Sequence, residues 1–292
     1  MSGLKEIRTR IASIKTTRQV TSAMKMVSAA KLKKAQDDII HFRPYAGKLH
    51  EILVHLASSM DFLAQSPYCI VRNPEKILIV IISSNRGLCG GFNLNIVRAA
   101  SGLINEKYPK QLEKGNVEIM TIGKQGERQL QVLGYSVSEK KNELWNNFKY
   151  PNIDKIASWI LESFFSGKYD KVELVYNEFV NAAVQIPTII DFLPFQVPQG
   201  TIQDKGDLTI YEPSKSEIAQ ELIPRVLKTD FHKALLDSQA AEHGARMTSM
   251  HLATDNATEL IGDLTLQYNK ARQAAITKEI LEITAGAEAL RG

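Results

Sequence analysis

The run Ser83-Ser84-Asn85-Arg86-Gly87-Leu88-Cys89-Gly90-Gly91-Phe92-Asn93 follows an apolar segment and opens a helix-like one. Glycine-rich loops cradle phosphate at such a junction, because backbone N–H groups at a helix start point at the ligand. The glycine spacing fits neither standard loop: G-x-G-x-x-G is absent, and no Gly-Lys-Ser/Thr follows. A tight turn that packs a helix on a sheet uses the same residues, so both readings stand. Cys89 has no histidine near it in sequence, as a nucleophile would need, and fits a small buried hydrophobe. Cys69 is the only other cysteine, with no C-x-x-C pair, so reduced structural thiols are expected rather than a disulfide framework or a zinc site. The six histidines (41, 50, 55, 232, 243, 251) lack metal-ligand spacing, and His243 and His251, eight apart, read as helix decoration. Asp255 and Glu259 read as surface residues of a helix rather than an acid/base pair. No catalytic residue, cofactor or metal is expected.

The elements around this run come in two textures. Leu4, Ile7, Ile11 and Ile14 recur at alternating spacings of three and four, the seam of a coiled coil. The frame resumes at Leu32, Ala35, Ile39 and Phe42, then at Leu49, Leu53, Leu56 and Met60. Between these, Arg18, Thr21, Lys25 and Ser28 fall on the seam while Val20, Met24 and Val27 sit one residue earlier, which predicts an apolar stripe that drifts around a straight helix. Pro44 is expected to kink or restart the helix.

From about Ser214 to Leu290 the character repeats. Ala257, Leu260, Leu264 and Ala271 share one frame, and Ile276, Ile280, Ile283, Ala287 and Leu290 a shifted one. No proline follows Pro224, so a continuous helix from there would be a rod on the order of 100 Å long at about 1.5 Å per residue. Such a rod needs a partner, and the N-terminal arm, running antiparallel, is the segment of the right kind. Small residues and methionines (Ser22, Ala23, Met24, Met26, Ser28, Ala29, Ala30) are expected to face Ala271, Ala274, Ala275, Ala285, Gly286 and Ala287, making a slim rod able to fit inside another structure.

Between the arms, strand-like runs (Lys76 to Ile82, Asn116 to Ile122, Tyr135 to Ser138, Lys171 to Tyr176, Val184 to Ile190) alternate with helix-like ones (Asn93 to Lys107, Gln125 to Val132, Ile153 to Phe165). That order predicts a mostly parallel sheet covered on both faces. The expected fold class is therefore an α/β domain inserted between two long helices that form an antiparallel coiled coil. Its boundaries are residues 1–66 for the N-terminal arm, 67–212 for the central domain and 213–292 for the C-terminal arm.

Composition excludes several classes. With 44% hydrophobic and 23% charged residues over 292 positions, the chain is neither mostly disordered nor an integral membrane protein, and one or two structural units are expected. The longest strongly apolar run, Ile77 to Ile82, is far short of the ~20 residues that span a bilayer. The start, MSGLKEIRTRIASIKTTRQV, lacks the apolar core of a secretory signal, so a cytoplasmic or equivalent compartment is expected. Charge is uneven: residues 1–36 hold nine Lys/Arg against Glu6 alone, although the whole chain is only +4. Like charges three and four apart on a helix repel by a few tenths of a kcal/mol per pair. Such a basic rod calls for an acidic partner surface.

Three stretches carry a family resemblance: IRTRIASIKTTRQVTSAMKMVSAAKLKKAQ at the start, RGLCGGFN in the middle, and ARMTSMHLATDNATELIGDLTLQYNKARQAAITKEILEITAGAEAL at the end. In order and over the full length they resemble the gamma subunit family of the F-type ATP synthase. The resemblance implies a rotating central stalk without chemistry of its own, peripheral on the cytoplasmic face of the bacterial inner membrane. Its implied partners are a ring of three alpha and three beta subunits, the epsilon subunit and the membrane rotor ring, with no nucleic acid and no direct membrane insertion. Residue by residue, it implies beta-subunit contact at Met24, Lys25, Lys31 and Lys33, against an acidic lever, and at Arg272 and Gln273 in KARQA. Contact with the rotor ring is implied at Tyr211 and Glu212. The sequence departs from the family pattern at Asn85, where Asp is frequent before R-G-L-C-G-G, and it lacks the cysteine-bearing insert of the plant plastid form between Tyr135 and Lys171. Two rival readings remain from the residues themselves: an α/β nucleotide-binding enzyme with a coiled-coil handle, and a nucleic-acid binder using the basic arm. The second is weakened because the rest of the chain is net acidic and carries no recognisable nucleic-acid module.

Overall fold

A computed structural model describes residues 2–57, 66–196, 212 and 214–289. Met60, Tyr211 and Leu290, named above, lie outside these. Two long helices frame the chain, α1 (Ser2–Ala57) and α6 (Lys215–Ala289). Between them lie β1 (Ile77–Ile82), α2 (Phe92–Lys107), α3 (Pro109–Glu113), β2 (Val117–Ile122), α4 (Lys124–Val132), β3 (Glu139–Lys140), a 3-10 helix at Asn142–Asn146, α5 (Tyr150–Phe165), β4 (Lys171–Phe179) and β5 (Gln185–Leu193). The chain divides into two compact units, Met1–Ser28 with Arg246–Gly292, and Ala29–Ala245.

In the larger unit the sheet order is β3-β2-β1-β4-β5. All pairs are parallel except β4 with β5, an antiparallel hairpin. The central strand shows why an apolar run without alternation is a strand here: all six residues of β1 are buried. Leu78, Val80 and Ile82 enter one core with Leu49, Leu53 and Leu56 of α1, Ile160 and Phe164 of α5, and Val226 and Phe231 of α6. Ile77, Ile79 and Ile81 enter the other, with Ile96, Val97 and Ile104 of α2 and Leu130 of α4. A strand that is covered on both faces reads as continuous apolar sequence. The strand expected at Tyr135 to Ser138 is instead Glu139–Lys140, paired with Met120 and Thr121. Tyr135 is still turning out of α4, its N–H donating to the Leu130 carbonyl (3.0 Å) just after Gly134 at φ +86°.

The burial of α1 corrects the drifting stripe. Thr21 and Ser28 are buried and Arg18 and Lys25 half-buried, on the same three-four frame that continues through Leu32, Ala35, Ile39, Ala46, Leu49, Leu53 and Leu56. Val20 and Val27 are 52% and 57% exposed. The seam keeps its heptad through polar residues, and the hydroxyl of Thr21 is satisfied inside it. Thr254 donates to Thr21 (2.9 Å), and Thr21 donates on to the Arg18 carbonyl (3.1 Å). Nor does Pro44 restart α1, which runs through it. Ile40 and Pro44 are both exposed, so the carbonyl that loses its amide partner is left facing water.

In the smaller unit the helices run antiparallel, with Thr21 against Thr254 and Lys25 against His251. On α6, Met250, Ala257 and Leu264 are buried and Thr254, Ile261, Tyr268, Ala271 and Ala275 half-buried, so Ile261 replaces the expected Leu260, which is 47% exposed. The shifted frame at Ile276, Ile280 and Ile283 is exposed, as is Ala287. In this register the start of α1 lies opposite about residue 273, where its seam runs out. The two small-residue sets do not face each other: Ala271 is about 25 Å along the helix from Thr254 at 1.5 Å per residue.

Two titratable groups of the larger unit, where α6 packs, act on stability in opposite directions. His50 Nε2 lies 2.8 Å from Asp230, and that hydrogen bond raises the imidazole above its ordinary pKa. Its contribution is full below the ordinary histidine value and lost as pH rises through the raised one. Asp237, 6% exposed, is pushed up to about 6 by burial, against Glu178 of β4, with Lys233 and Arg43 partly offsetting. A carboxyl with a raised pKa opposes folding above that value and ceases to do so below the unfolded one. Asp237→Asn should therefore stabilise the chain by about 2 to 3 kcal/mol at pH 7.5, at about 1.4 kcal/mol per unit, with the gain fading towards pH 4. Urea midpoints of the two full chains across that pH range test this. A gain that persists unchanged at pH 4 would reject ionisation as the cause.

Candidate partner-contact surfaces

The loop after β1 is held from within. The Ser84 N–H donates to Asn93 Oδ1 (3.0 Å), and Asn93 Nδ2 donates to Ser84 Oγ (2.9 Å) and Cys89 Sγ (3.2 Å). Leu88 at φ +62° and Gly90 at φ +57° turn the chain so that Cys89 and Phe92 point inward. Both pack on Phe179, Ala241 and Ala245. This cluster fills the region beyond the carboxyl ends of β1 and β4, the topological switch point at which an open α/β sheet would take a nucleotide. The loop is a packing turn, and a phosphate would find these groups already engaged. Cys69 and Cys89 are both free thiols, Cys89 buried.

Asn85 ties three elements at the rim of this loop. Its Nδ2 donates to the Asn142 carbonyl (2.9 Å), and its Oδ1 accepts from the Lys124 N–H (3.1 Å). An amide serves both partners, whereas a carboxylate could accept but not donate.

The arm carries the remaining candidates. In the smaller unit Met24 is half-buried, and Lys25 Nζ lies 3.2 Å from His251 Nδ1. That nitrogen is also 3.3 Å from Asp255, so it can accept from Lys25 or donate to Asp255, not both. Asp255 and Glu259 are exposed, as expected. Arg272 and Gln273 are exposed on α6, about one turn from the exposed Ile276 and two from Ile280. Met24 and Arg272 therefore do not form one patch: the register separates them by about 30 Å along the arm. In the larger unit Lys31 is exposed, and Lys33 pairs with Asp37 one turn on (2.8 Å), a surface contact of little energetic weight. Glu212 is exposed beside Glu217, Glu221 and Arg225 at the start of α6, while Tyr211 lies outside the described residues. Among the described residues, no group of three or more His, Cys, Asp or Glu could hold a metal ion, and no helix is long and apolar enough to cross a membrane.

Comparison with known proteins decides the family. The ATP synthase family profile matches residues 3–290. The chain is 48% identical to the ATP synthase gamma chain of Cytophaga hutchinsonii over 99% of both chains, and 49% identical to that of Flavobacterium johnsoniae over the whole of both.

The chain belongs to the ATP synthase gamma chain family.

Solved structures carry the same fold at low identity. The rotor of the Euglena gracilis mitochondrial ATP synthase matches at 22% identity and a TM-score of 0.64, covering 94% of this chain and 99% of that one. A structure of the Euglena gracilis OSCP/F1/c-ring assembly matches at 20% and 0.67, covering 99% and 95%. The Tetrahymena thermophila central stalk and c-ring matches at 22% and 0.57, covering 80% and 99%. With membership in the gamma chain family, the nucleotide-enzyme and nucleic-acid readings lose their ground.

Reading by residue type set Thr21 and Ser28 aside in favour of a drifting apolar stripe, although both are buried on the gamma chain seam. Their signal was the heptad count itself: positions 18, 21, 25 and 28 keep the three-four frame, and only their polarity argued against them. The run Ala240, Ala241, Gly244 and Ala245 also passed unremarked, and there the signal was small residues spaced one helical turn apart.

Proposed function

We propose that the chain is the central stalk of an F-type ATP synthase, turning inside a ring of three alpha and three beta subunits. It couples ion flow through the membrane rotor ring to ATP synthesis at the beta subunits. The observation that carries this reading is end-to-end agreement at 48 to 49% identity with proteins named ATP synthase gamma chain. The chain brings no chemistry of its own. An asymmetric two-helix rod meets each of three equivalent subunits differently, and differential contact is what any coupling between a conformational equilibrium and a distant site requires. The paired chain ends of the two arms enter the ring, and the central α/β domain stays outside it with the epsilon subunit. Met24, Lys25, Lys31 and Lys33 meet an acidic lever of a beta subunit, consistent with the one-signed charge of residues 1–36. Arg272 and Gln273 meet a beta loop, and Tyr211 and Glu212 stand in the foot on the rotor ring. The complex is peripheral, on the cytoplasmic face of a bacterial inner membrane.

Affinity purification of the full chain from its own cells tests the reading. Larger nucleotide-binding subunits should come with it in a stable complex. The chain alone should show no ATPase activity and should aggregate, because Ile276, Ile280, Leu281 and Ile283 leave an exposed apolar tip. A monodisperse chain that hydrolyses ATP at ordinary enzyme rates would overturn it.

Met24→Lys should impair coupling more than assembly. Met24 is half-buried beside Lys25, in a stretch already short of acids. A further cation facing the acidic lever could hold one rotor stage too long, since an interfacial charge pair can contribute more than about 1 kcal/mol. Protons pumped per ATP hydrolysed in reconstituted vesicles should fall, and an unchanged ratio counts against this placement of Met24.

A further inference from the structure

One imidazole in the smaller unit stands between two charges that it cannot satisfy together. His251 Nδ1 lies 3.2 Å from Lys25 Nζ across the seam and 3.3 Å from the Asp255 carboxylate one turn on along α6. An ammonium has donors only, so the contact with Lys25 needs a bare Nδ1. A neutral ring has two tautomers open to it, and the ammonium beside Nδ1 selects the one with its proton on Nε2. An ionised carboxylate accepts only, so the contact with Asp255 needs a proton on Nδ1 itself. The protonated ring has that proton and a positive charge, which leaves Lys25 with a like charge at contact distance. Neutral, the residue belongs to Lys25; charged, it belongs to Asp255.

The exchange needs only side-chain rotation. On either side of Lys25, Thr21 and Ser28 are buried in the seam, and Thr254 holds Thr21 by its hydroxyl (2.9 Å). The charged groups against the ring are Lys25 from α1 and Asp255 from α6. The next ones along the helices of the smaller unit are Arg18, about 10 Å from Lys25, and Arg246 and Glu259, about 7 and 12 Å from His251 at 1.5 Å per residue. The imidazole is 54% exposed, so a proton reaches it without opening the seam. Histidine is the side chain that ordinarily changes charge between about pH 5 and 8.

We propose that His251 is a proton-operated positioning residue for Lys25: neutral, it holds the Lys25 ammonium on the surface of the arm, and protonated, it turns to Asp255 and releases that cation to an acidic partner surface. This rests on the central-stalk reading and on Lys25 as a contact of the beta subunit. Such coupling is reciprocal. Where rotation brings an acidic surface to Lys25, His251 loses its donor and takes a proton more readily; where rotation carries that surface away, the proton leaves. Acidification therefore lengthens the rotor stage at which Lys25 meets its partner. Because the three groups are exposed or half-buried, water screens them, and the effect is about twofold rather than tenfold.

The test is steady-state ATP hydrolysis by the assembled complex, with each variant measured against the parent at the same pH so that titrations elsewhere cancel. His251→Asn keeps an acceptor near the Nδ1 position but does not ionise in this range, so its rate should equal the parent's at pH 8 and exceed it about twofold at pH 6. His251→Lys carries the charge throughout, so it should be about twofold slower than the parent at pH 8 and converge with it at pH 6. In a Lys25→Gln background, His251→Asn should change neither the rate nor the pH profile, a dependence that a purely structural role of the ring would not show. A ratio of His251→Asn to parent that stays flat from pH 8 to pH 6, or that shifts equally in the Lys25→Gln background, overturns the proposal. A Lys25→Gln complex that matches the parent at both pH values overturns the placement of Lys25 against the beta subunit, and the proposal with it. Failure of the parent chain to co-purify with larger subunits would instead overturn the stalk reading beneath both.

Discussion

Gly123→Ala should cost the α/β domain about 3 kcal/mol or more, enough to remove most soluble full-length chain on expression. Gly123 stands at φ +129° and ψ +128°, a backbone region that side chains other than hydrogen rarely enter. An added Cβ would lie 2.2 Å from the Ser83 carbonyl oxygen, and backbone on both sides prevents relief. The same residue holds three elements together. Its N–H donates to Asn142 Oδ1 (2.8 Å), and its carbonyl accepts from Ser83 Oγ (3.0 Å), which in turn accepts from the Gly126 N–H (3.0 Å). Strain at a special backbone position and loss of a buried network are both among the mechanisms behind the largest single-residue effects. Soluble yield and urea midpoint, set beside those of Gly134→Ala, provide the check. Gly134 also has a positive φ but no atom within 4 Å of an added Cβ, so it isolates backbone strain from collision. Equal losses at the two positions would mean that the close approach to Ser83 is not what matters.

Arg272→Ala and Gln273→Ala should each slow ATP turnover of the assembled complex several-fold while leaving its yield normal. Both side chains are exposed on α6 near the point where α1 runs out, so neither contributes to the seam. As surface residues alone, their replacement would change stability by only a few tenths of a kcal/mol, alanine being at least as good a helix former. Facing a beta loop at some rotor angles and not at others, each would bias the rotational states by the strength of the bond made. For a charge-assisted hydrogen bond that is about 1.5 to 3 kcal/mol, tenfold or more in an equilibrium. Complex yield and steady-state hydrolysis, measured together, separate the possibilities. Normal values for both variants would make these residues ordinary surface.

Much of the molecule was legible in the order of its residues. Ile77 to Ile82 could be assigned to a buried parallel strand because its apolar run matches a strand covered on both faces, and the alternation of strand and helix patterns implied the sheet. The arms were legible from three-four spacing, a consequence of helix geometry that any sequence exposes. The family was legible because long strings at both ends and RGLCGGFN in the middle occur in order, and the gamma chain relatives agree over the full length.

Tertiary structure decided what depends on the partner across the seam. Whether Thr21 or Val20 faces inward is not set by hydrophobicity alone: Thr21 turns in because Thr254 lies opposite and satisfies its hydroxyl, while Val20 and Val27 stay in water. The exposure of Ile276, Ile280 and Ile283 follows from register, which depends on where the opposing helix begins rather than on their own spacing. Gly123 looks like any other glycine in sequence, and only its backbone conformation and the approach of Ser83 make it necessary. Local pattern determined which segments are helix or strand and which face is apolar, since those depend on covalent geometry and periodicity. Register, close approach and the satisfaction of buried polar groups depend on residues distant along the chain, and so were decided only when the fold brought them together.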